Sequence, residues 1–274
     1  MEFEIVPAHD LSLAEQARTF TEAFTGYLVG SIELDATAFG RFISSQGIDL
    51  YYSRFIRNKS GELASFGCIN RTGNISRLAA MGTVPAARRS GAAAFLLSLL
   101  LDEAKARGDK TMMLECFEQN PAALALYRRY HFKEVGCLFG WRANAAKGEQ
   151  SEVQELPVLT AIEMEAPSDY PEIPWQISRF AMVKIPNARA FTVDGKCVLI
   201  SGGAPQPVRI HGFFGYRNHD WTGLRNVLRA VLAKFPDMEF FAPQIFPDQF
   251  GSEVFEPLGF KRETLNQFLM RREL

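Results

Sequence analysis

Residues 75–132 constrain this chain more than any other stretch. They read as strand, short basic glycine turn, long apolar helix, strand and second helix. Residues 75–84 are short and apolar enough for a strand, which Pro85 ends. Residues 92–107 are rich in Ala and Leu and read as a helix that stops at Gly108. Residues 111–117 read as a buried strand. Asn120 and Pro121 then open a last helix, with Asn at the cap and Pro at the first helical position.

The turn, Arg88-Arg89-Ser90-Gly91-Ala92-Ala93, has its own physical reading. A helix N-terminus leaves backbone N–H groups unpaired and carries a partial positive charge. Gly91 lets a ligand approach the backbone, and two arginines add charge. The result is a seat for a phosphate or diphosphate. An ordinary strand-to-helix turn with two solvated arginines is the alternative, and the turn alone does not decide between them.

The surroundings of the turn are more specific. Val84-Pro85-x-x-Arg88-Arg89-x-Gly91-x-Ala93, an apolar helix, Leu114-Glu115, Asn120, Ala122, Tyr127 and Phe132 follow in order. This ordered set resembles the GNAT superfamily of acyl-CoA-dependent N-acetyltransferases, whose turn reads Gln/Arg-x-x-Gly-x-Gly/Ala. Arg88, Gly91 and Ala93 fill those places. The likeness spans residues 3–142. His131-Phe132 departs from the family's usual Gly-Phe, and Phe24-Thr-Gly-Tyr27-Leu-Val29 looks like a bacterial branch carrying a second domain of the same type.

The resemblance implies an α/β fold of two GNAT-like domains, each a mixed central sheet flanked by helices. Length agrees, since 274 residues predict two domains of about 130 residues each. The expected division is a catalytic domain at 1–145, a linker at 146–156 without apolar rhythm, and a second domain at 157–274. Within the first, residues 3–7 read as strand and residues 13–24 as a helix capped by Ser12 with Glu15 at the capping-box spacing. Residues 36–46 read as a helix capped by Asp35, and residues 51–57 and 63–70 as a hairpin turning at 58–61. Residues 133–141 are expected to close that domain's sheet.

The second half repeats this plan at a shift of 128 residues, which lays Phe132 on Phe260, Lys133 on Lys261 and Leu100 on Leu228 without a gap. The expected elements are a strand at 208–216, a helix at 224–235, a strand at 238–243 and a helix at 249–258. The alternative is chance agreement between helices and strands. The shift places Gly91 on His219, Ala93 on Trp221, Arg88 on Tyr216 and Tyr127 on Phe255. The second copy therefore lacks both the glycine of the seat and the phenol hydroxyl.

A net charge of −1 argues against nucleic acid or an anionic membrane as the main partner. Cys68, Cys116, Cys137 and Cys197 make no ligand spacing and read as reduced thiols, and the acidic start shows no signal peptide. A cytoplasmic protein, monomer or homodimer, without metal, is expected. His9, His211 and His219 are scattered, without metal spacing.

The resemblance also implies roles. Acetyl-CoA would be anchored by the backbone of Arg88, Arg89, Ser90, Gly91, Ala92 and Ala93, with both arginine side chains assisting. Met81, Gly82, Thr83 and Val84 would pair with the pantetheine arm, Gly82 easing a bulge. Tyr127 would be the acid for the leaving thiolate: a phenol with a pKa near 10 stays protonated at neutral pH and can still serve a thiol near 8.5. Asn120 would bind the pantetheine arm, cap its helix, or both. Tyr27 lies where such domains meet the acceptor, with a plain core aromatic as the alternative. Glu33, Asp35, Glu115, Glu118 and His131 are candidates for the base, and none is assigned. The implied reaction is direct transfer to a primary amine of a small molecule or peptide within a ternary complex. The rival is a non-catalytic acyl-CoA sensor or scaffold.

Overall fold

The computed structural model describes residues 3–144, 152–164, 174–215 and 220–274. Tyr216 and His219, two positions of the repeat comparison, lie outside the described residues, as do 146–151 of the expected linker. Contacts divide the chain into two units, residues 1–135 with 269–274, and residues 136–268.

In the first unit, β1 (Glu4–Pro7), β2 (Asp49–Arg57), β3 (Leu63–Thr72) and β4 (Ile75–Thr83) pair successively antiparallel. β5 (Thr111–Phe117) pairs parallel to β4. The helices are α1 (Leu13–Ala23), α2 (Ala36–Gln46), α3 (Ala92–Ala106) and α4 (Pro121–Arg129). Their starts follow from local chemistry. Ser12 and Glu15 form a reciprocal capping box, Asp35 accepts from the Ala38 amide at 2.7 Å, and Asn120 accepts from the Ala123 amide at 3.2 Å. Phe20, Phe39, Phe55 and Phe66 are buried together, with Phe66 5.3 Å from Phe20 and 5.6 Å from Phe55. Leu96, Leu97, Leu100 and Leu101 form the buried face of α3. Gly67 admits that helix: a Cβ there would lie 2.5 Å from the Leu100 side chain.

A polar cluster locks the far end of this sheet. Asp109 Oδ1 accepts from Arg71 at 2.6 Å, and Oδ2 accepts from Ser76 at 2.5 Å and Arg107 at 2.9 Å. Burial alone would raise the Asp109 carboxyl, but these donors outweigh it and hold its pKa below the usual value. A depressed carboxyl contributes stability above its unfolded pKa and loses it as pH falls through the folded value. Asp109→Ala should therefore destabilise the protein by about 3–5 kcal/mol at pH 7, through two arginines left beside a buried void. The deficit should shrink below about pH 4, where the unfolded chain's aspartate protonates. Urea unfolding at both pH values measures this, and a pH-independent deficit would refute it.

The closing strand differs from expectation. β6 (Lys133–Asn144) does not complete the first unit's sheet; residues 138–144 pair antiparallel with β11 (Glu239–Pro247) of the second unit. The place beside β5 is taken by the chain's last residues. There the Leu274 amide donates to the Lys110 carbonyl at 3.0 Å, and Arg272 donates to the Tyr130 carbonyl at 2.8 Å.

The second unit contains β7 (Gln154–Leu156), α5 (Val158–Glu163), α6 (Arg179–Met182), β8 (Arg189–Val193), β9 (Lys196–Gly203) and β10 (Gln206–Phe214). Then come α7 (Trp221–Lys234), β11, a helical stretch over 248–258 and β12 (Lys261–Glu273). β7 falls within the expected linker. Its order is β7-β8-β9-β10-β11-β6-β12, and the end of β12 is the segment beside β5. β10 and β11 are parallel, as are β4 and β5.

The 128-residue register has a structural counterpart. His131 and Gly259 both adopt left-handed backbone, at φ 60° and 85°. The Phe132 amide donates to the Tyr127 carbonyl at 3.1 Å, and the Phe260 amide donates to the Phe255 carbonyl at 3.1 Å. The conformation suits glycine, as at Gly259, and His131 adopts it at some strain.

Candidate active site

The site is built where β4 and β5 part. They pair from Ile75 with Thr111 to Leu78 with Leu114 and no further. Beyond that point, Met81, Gly82 and Thr83 keep β3 as partner on one side only. Gly82 does not supply a bulge. The irregularity falls at Ala79, since Cys68 faces Ala80 and Ile69 faces Leu78. Gly82 is required for packing, because a Cβ there would lie 2.7 Å from the Phe66 ring and 2.9 Å from Ala23.

After β4, Pro85–Ala87 makes one tight turn. Arg89 and Gly91 then take left-handed backbone, at φ 61° and 88°. A Cβ on Gly91 would meet no atom within 4 Å, so the approach to α3 is open. Ser90 Oγ donates to the Ala87 carbonyl at 2.6 Å and accepts from the Ala92 amide at 3.3 Å, which fixes the turn. The amides of Ala93 and Ala94 have no acceptor within the helix. Arg88 is less free than its sequence position suggests. Its guanidinium donates to the Ala23 carbonyl at 3.2 Å and the Thr83 carbonyl at 3.4 Å, clasping the C-terminus of α1 to the end of β4.

These elements enclose a cavity of about 650 Å³. Of the residues singled out in the sequence, Met81, Gly82, Thr83, Arg88, Arg89, Gly91, Ala92, Ala93, Asn120, Tyr27 and Tyr127 line it. Val84, Ser90, Glu33 and Glu115 do not. Val84 is buried, and Glu33 is exposed away from the lining. Glu115 is a structural residue: Arg77 donates to it at 2.7 Å, and both side chains are about 5% exposed or less. Its carboxylate is committed to neutralising a buried arginine. Sequence reasoning missed Phe24, Leu28, Gln119 and Leu126 in the lining. Ala122 with Leu126, and Ala123 with Tyr127, lie one helical turn apart, and that spacing was the available signal.

Tyr127 is 8% exposed, and burial pushes its phenol well above the ordinary value, with Cys116 and Tyr27 adding to the effect. Its hydroxyl therefore carries a proton throughout the physiological range. Burial also raises the Tyr27 phenol, while the Asn120 side chain, within hydrogen-bonding range, opposes that. Cys116 is buried, and burial pushes its thiol up to about 12. A thiol so placed is protonated and a poor nucleophile.

The sequence model of the acetyltransferase (GNAT) family matches residues 14–132, a range that contains this cavity. Residues 14–132 are an N-acetyltransferase domain of the GNAT family. A [ribosomal protein bS18]-alanine N-acetyltransferase of Escherichia coli K12 is 29% identical over 117 residues, 43% of this chain and 78% of that protein. Across nearly the full chain the likeness is one of fold. A GCN5-related N-acetyltransferase from Sphaerobacter thermophilus superposes with a TM-score of 0.63 at 15% identity, covering 99% of this chain and 95% of that one. A tandem GNAT protein from the clavulanic acid biosynthesis pathway gives 0.63 at 14% identity, covering 99% and 98%. The chain therefore has the fold of two fused GNAT units. GNAT enzymes use acetyl-CoA and an amine acceptor.

The second unit, alike in fold, differs at the corresponding positions. At the start of α7, Asp220 accepts from the Gly223 amide at 3.0 Å and faces Lys196 Nζ at 3.2 Å. Its carboxylate thus caps the helix where the start of α3 has no side-chain cap. Phe255, the counterpart of Tyr127, is fully buried and stacks on Trp141 with ring centres 5.8 Å apart. Among the described residues, no helix is long and apolar enough to cross a membrane.

Proposed function

We propose that the first unit transfers an acyl group, acetyl by default, from acyl-CoA to a primary amine by direct attack in a ternary complex. The second unit is a copy that has lost cofactor binding. The observation that carries this reading is the coincidence, in one cavity, of a parted strand edge, an open helix N-terminus and a buried phenol.

The residues present fit acetyl-CoA. The amides at the start of α3 would hold its diphosphate, with Arg89 beside them. Met81 to Thr83 would pair along its pantetheine arm, and Asn120, whose Oδ1 caps α4, would turn its amide nitrogen toward that arm. When bound, the cofactor supplies an activated thioester. Tyr127 holds a proton on Oη where sulfur would depart. Cys116 is protonated and is not among the described lining residues, which supports direct transfer. The E. coli relative acts on an alanine of a ribosomal protein, and an α-amine beside a small side chain is the first acceptor to test.

Gly91→Val places a β-branched residue at φ 88° and should weaken coenzyme A binding by about tenfold or more. Isothermal titration measures this, and an unchanged Kd would remove the anchoring role. One observation favours the sensor reading: among the described residues, no carboxylate or imidazole lines the cavity. Thiol release from acetyl-CoA in the presence of an amine panel separates the two.

A further inference from the structure

We infer, building on the acyltransferase reading, that the acceptor is a monoamine with an apolar body and not a polycation. Among the described residues, the charged side chains in the cavity lining are Arg88 and Arg89, and no carboxylate lines it. Of the acidic candidates, Glu115 is bound by Arg77, and Glu33, Asp35 and Glu118 are not among the described lining residues. A spermidine or an aminoglycoside would bring several ammonium groups to a surface without a carboxylate. Each one taken out of water there lacks a counter-charge.

The wall left for an acceptor is apolar. Phe24, Tyr27 and Leu28 from the segment after α1 line the cavity with Met81 and Leu126. Leu28 is 43% exposed and its neighbour Val29 is 50% exposed, an unusual outlay of large aliphatic surface beside an opening. Such a wall gains by covering an alkyl or aryl body. It also disfavours the charged form of a single amine, so the neutral nucleophile forms without a base in the lining.

The test compares kcat/KM for phenethylamine, alanine amide and leucine amide with that for spermidine and kanamycin, using acetyl-CoA and the full chain. The monoamines should lead by on the order of 10²-fold. Leu28→Asp, which adds a carboxylate at the opening, should narrow that ratio by roughly tenfold or more in favour of spermidine. Equal or better use of spermidine or kanamycin by the unaltered protein overturns the inference and leaves the acyltransferase reading standing. Acetyl-CoA binding without acetylation of any amine overturns both. A selectivity ratio indifferent to Leu28→Asp removes the wall from the explanation and overturns the assignment.

Discussion

Tyr127→Phe should lower turnover by about 10²–10⁴-fold while acetyl-CoA affinity stays nearly constant. The variant keeps the ring that packs 5.8 Å from Phe132 and removes only the hydroxyl. No hydrogen bond from that hydroxyl to the described residues would be lost, so stability should change little. The pH profile gives a second readout. Burial raises the Tyr127 phenol, so its proton is present below the ordinary tyrosine value and is lost only above it. kcat/KM should therefore rise with pH as the acceptor amine deprotonates, without a falling limb before about pH 10. A falling limb near pH 8, or turnover unaffected in the phenylalanine variant, would dismiss Tyr127 as the acid.

Deleting residues 269–274 should abolish the cooperative unfolding of the first unit. The segment includes Leu269 at 3% exposure and Met270 at 0%. Their loss would cost roughly 4–8 kcal/mol, against a typical domain stability of about 5–15 kcal/mol. The deletion also strips β5 of its neighbour, the Lys110 carbonyl of its donor, and the Tyr130 carbonyl of Arg272. Tyr130 in turn donates to the Ala94 carbonyl at 2.8 Å, in the first turn of α3, so the effect should reach the anion seat. Calorimetry of the truncated chain and hydrogen exchange at β5 test this. Protection of β5 equal to that of the full chain would show that the terminal strand is dispensable.

Much of the first unit was legible in sequence because its signals are local. Ser12 with Glu15, Asp35 with Ala38, and Asn120 with Pro121 place three helix starts within four residues of chain each. The strand before Pro85 and the stop at Gly108 are likewise local. What the sequence hid depends on partners far along the chain. Arg77 and Glu115 are 38 residues apart, and Arg88 and the Ala23 carbonyl are 65 apart. Nothing within either segment announces that the glutamate is spent on the arginine, or that Arg88 clasps a helix end. The closing strands were illegible for a different reason. β6 and β12 begin alike, at Phe132-Lys133 and Phe260-Lys261, so pattern alone cannot say which sheet each one joins.

That placement of the terminal strand has a consequence for biosynthesis. A chain emerging from the ribosome delivers residues 1–135 first, yet the segment that finishes their sheet follows only after the whole of the second unit. Until that segment emerges, β5 is left with an unpaired border of backbone groups that a chaperone, or the same border on a nascent neighbour, can engage. The first unit should therefore finish folding only once residues 269–274 have emerged, so that a chain stopped within the second unit carries an unfinished first sheet.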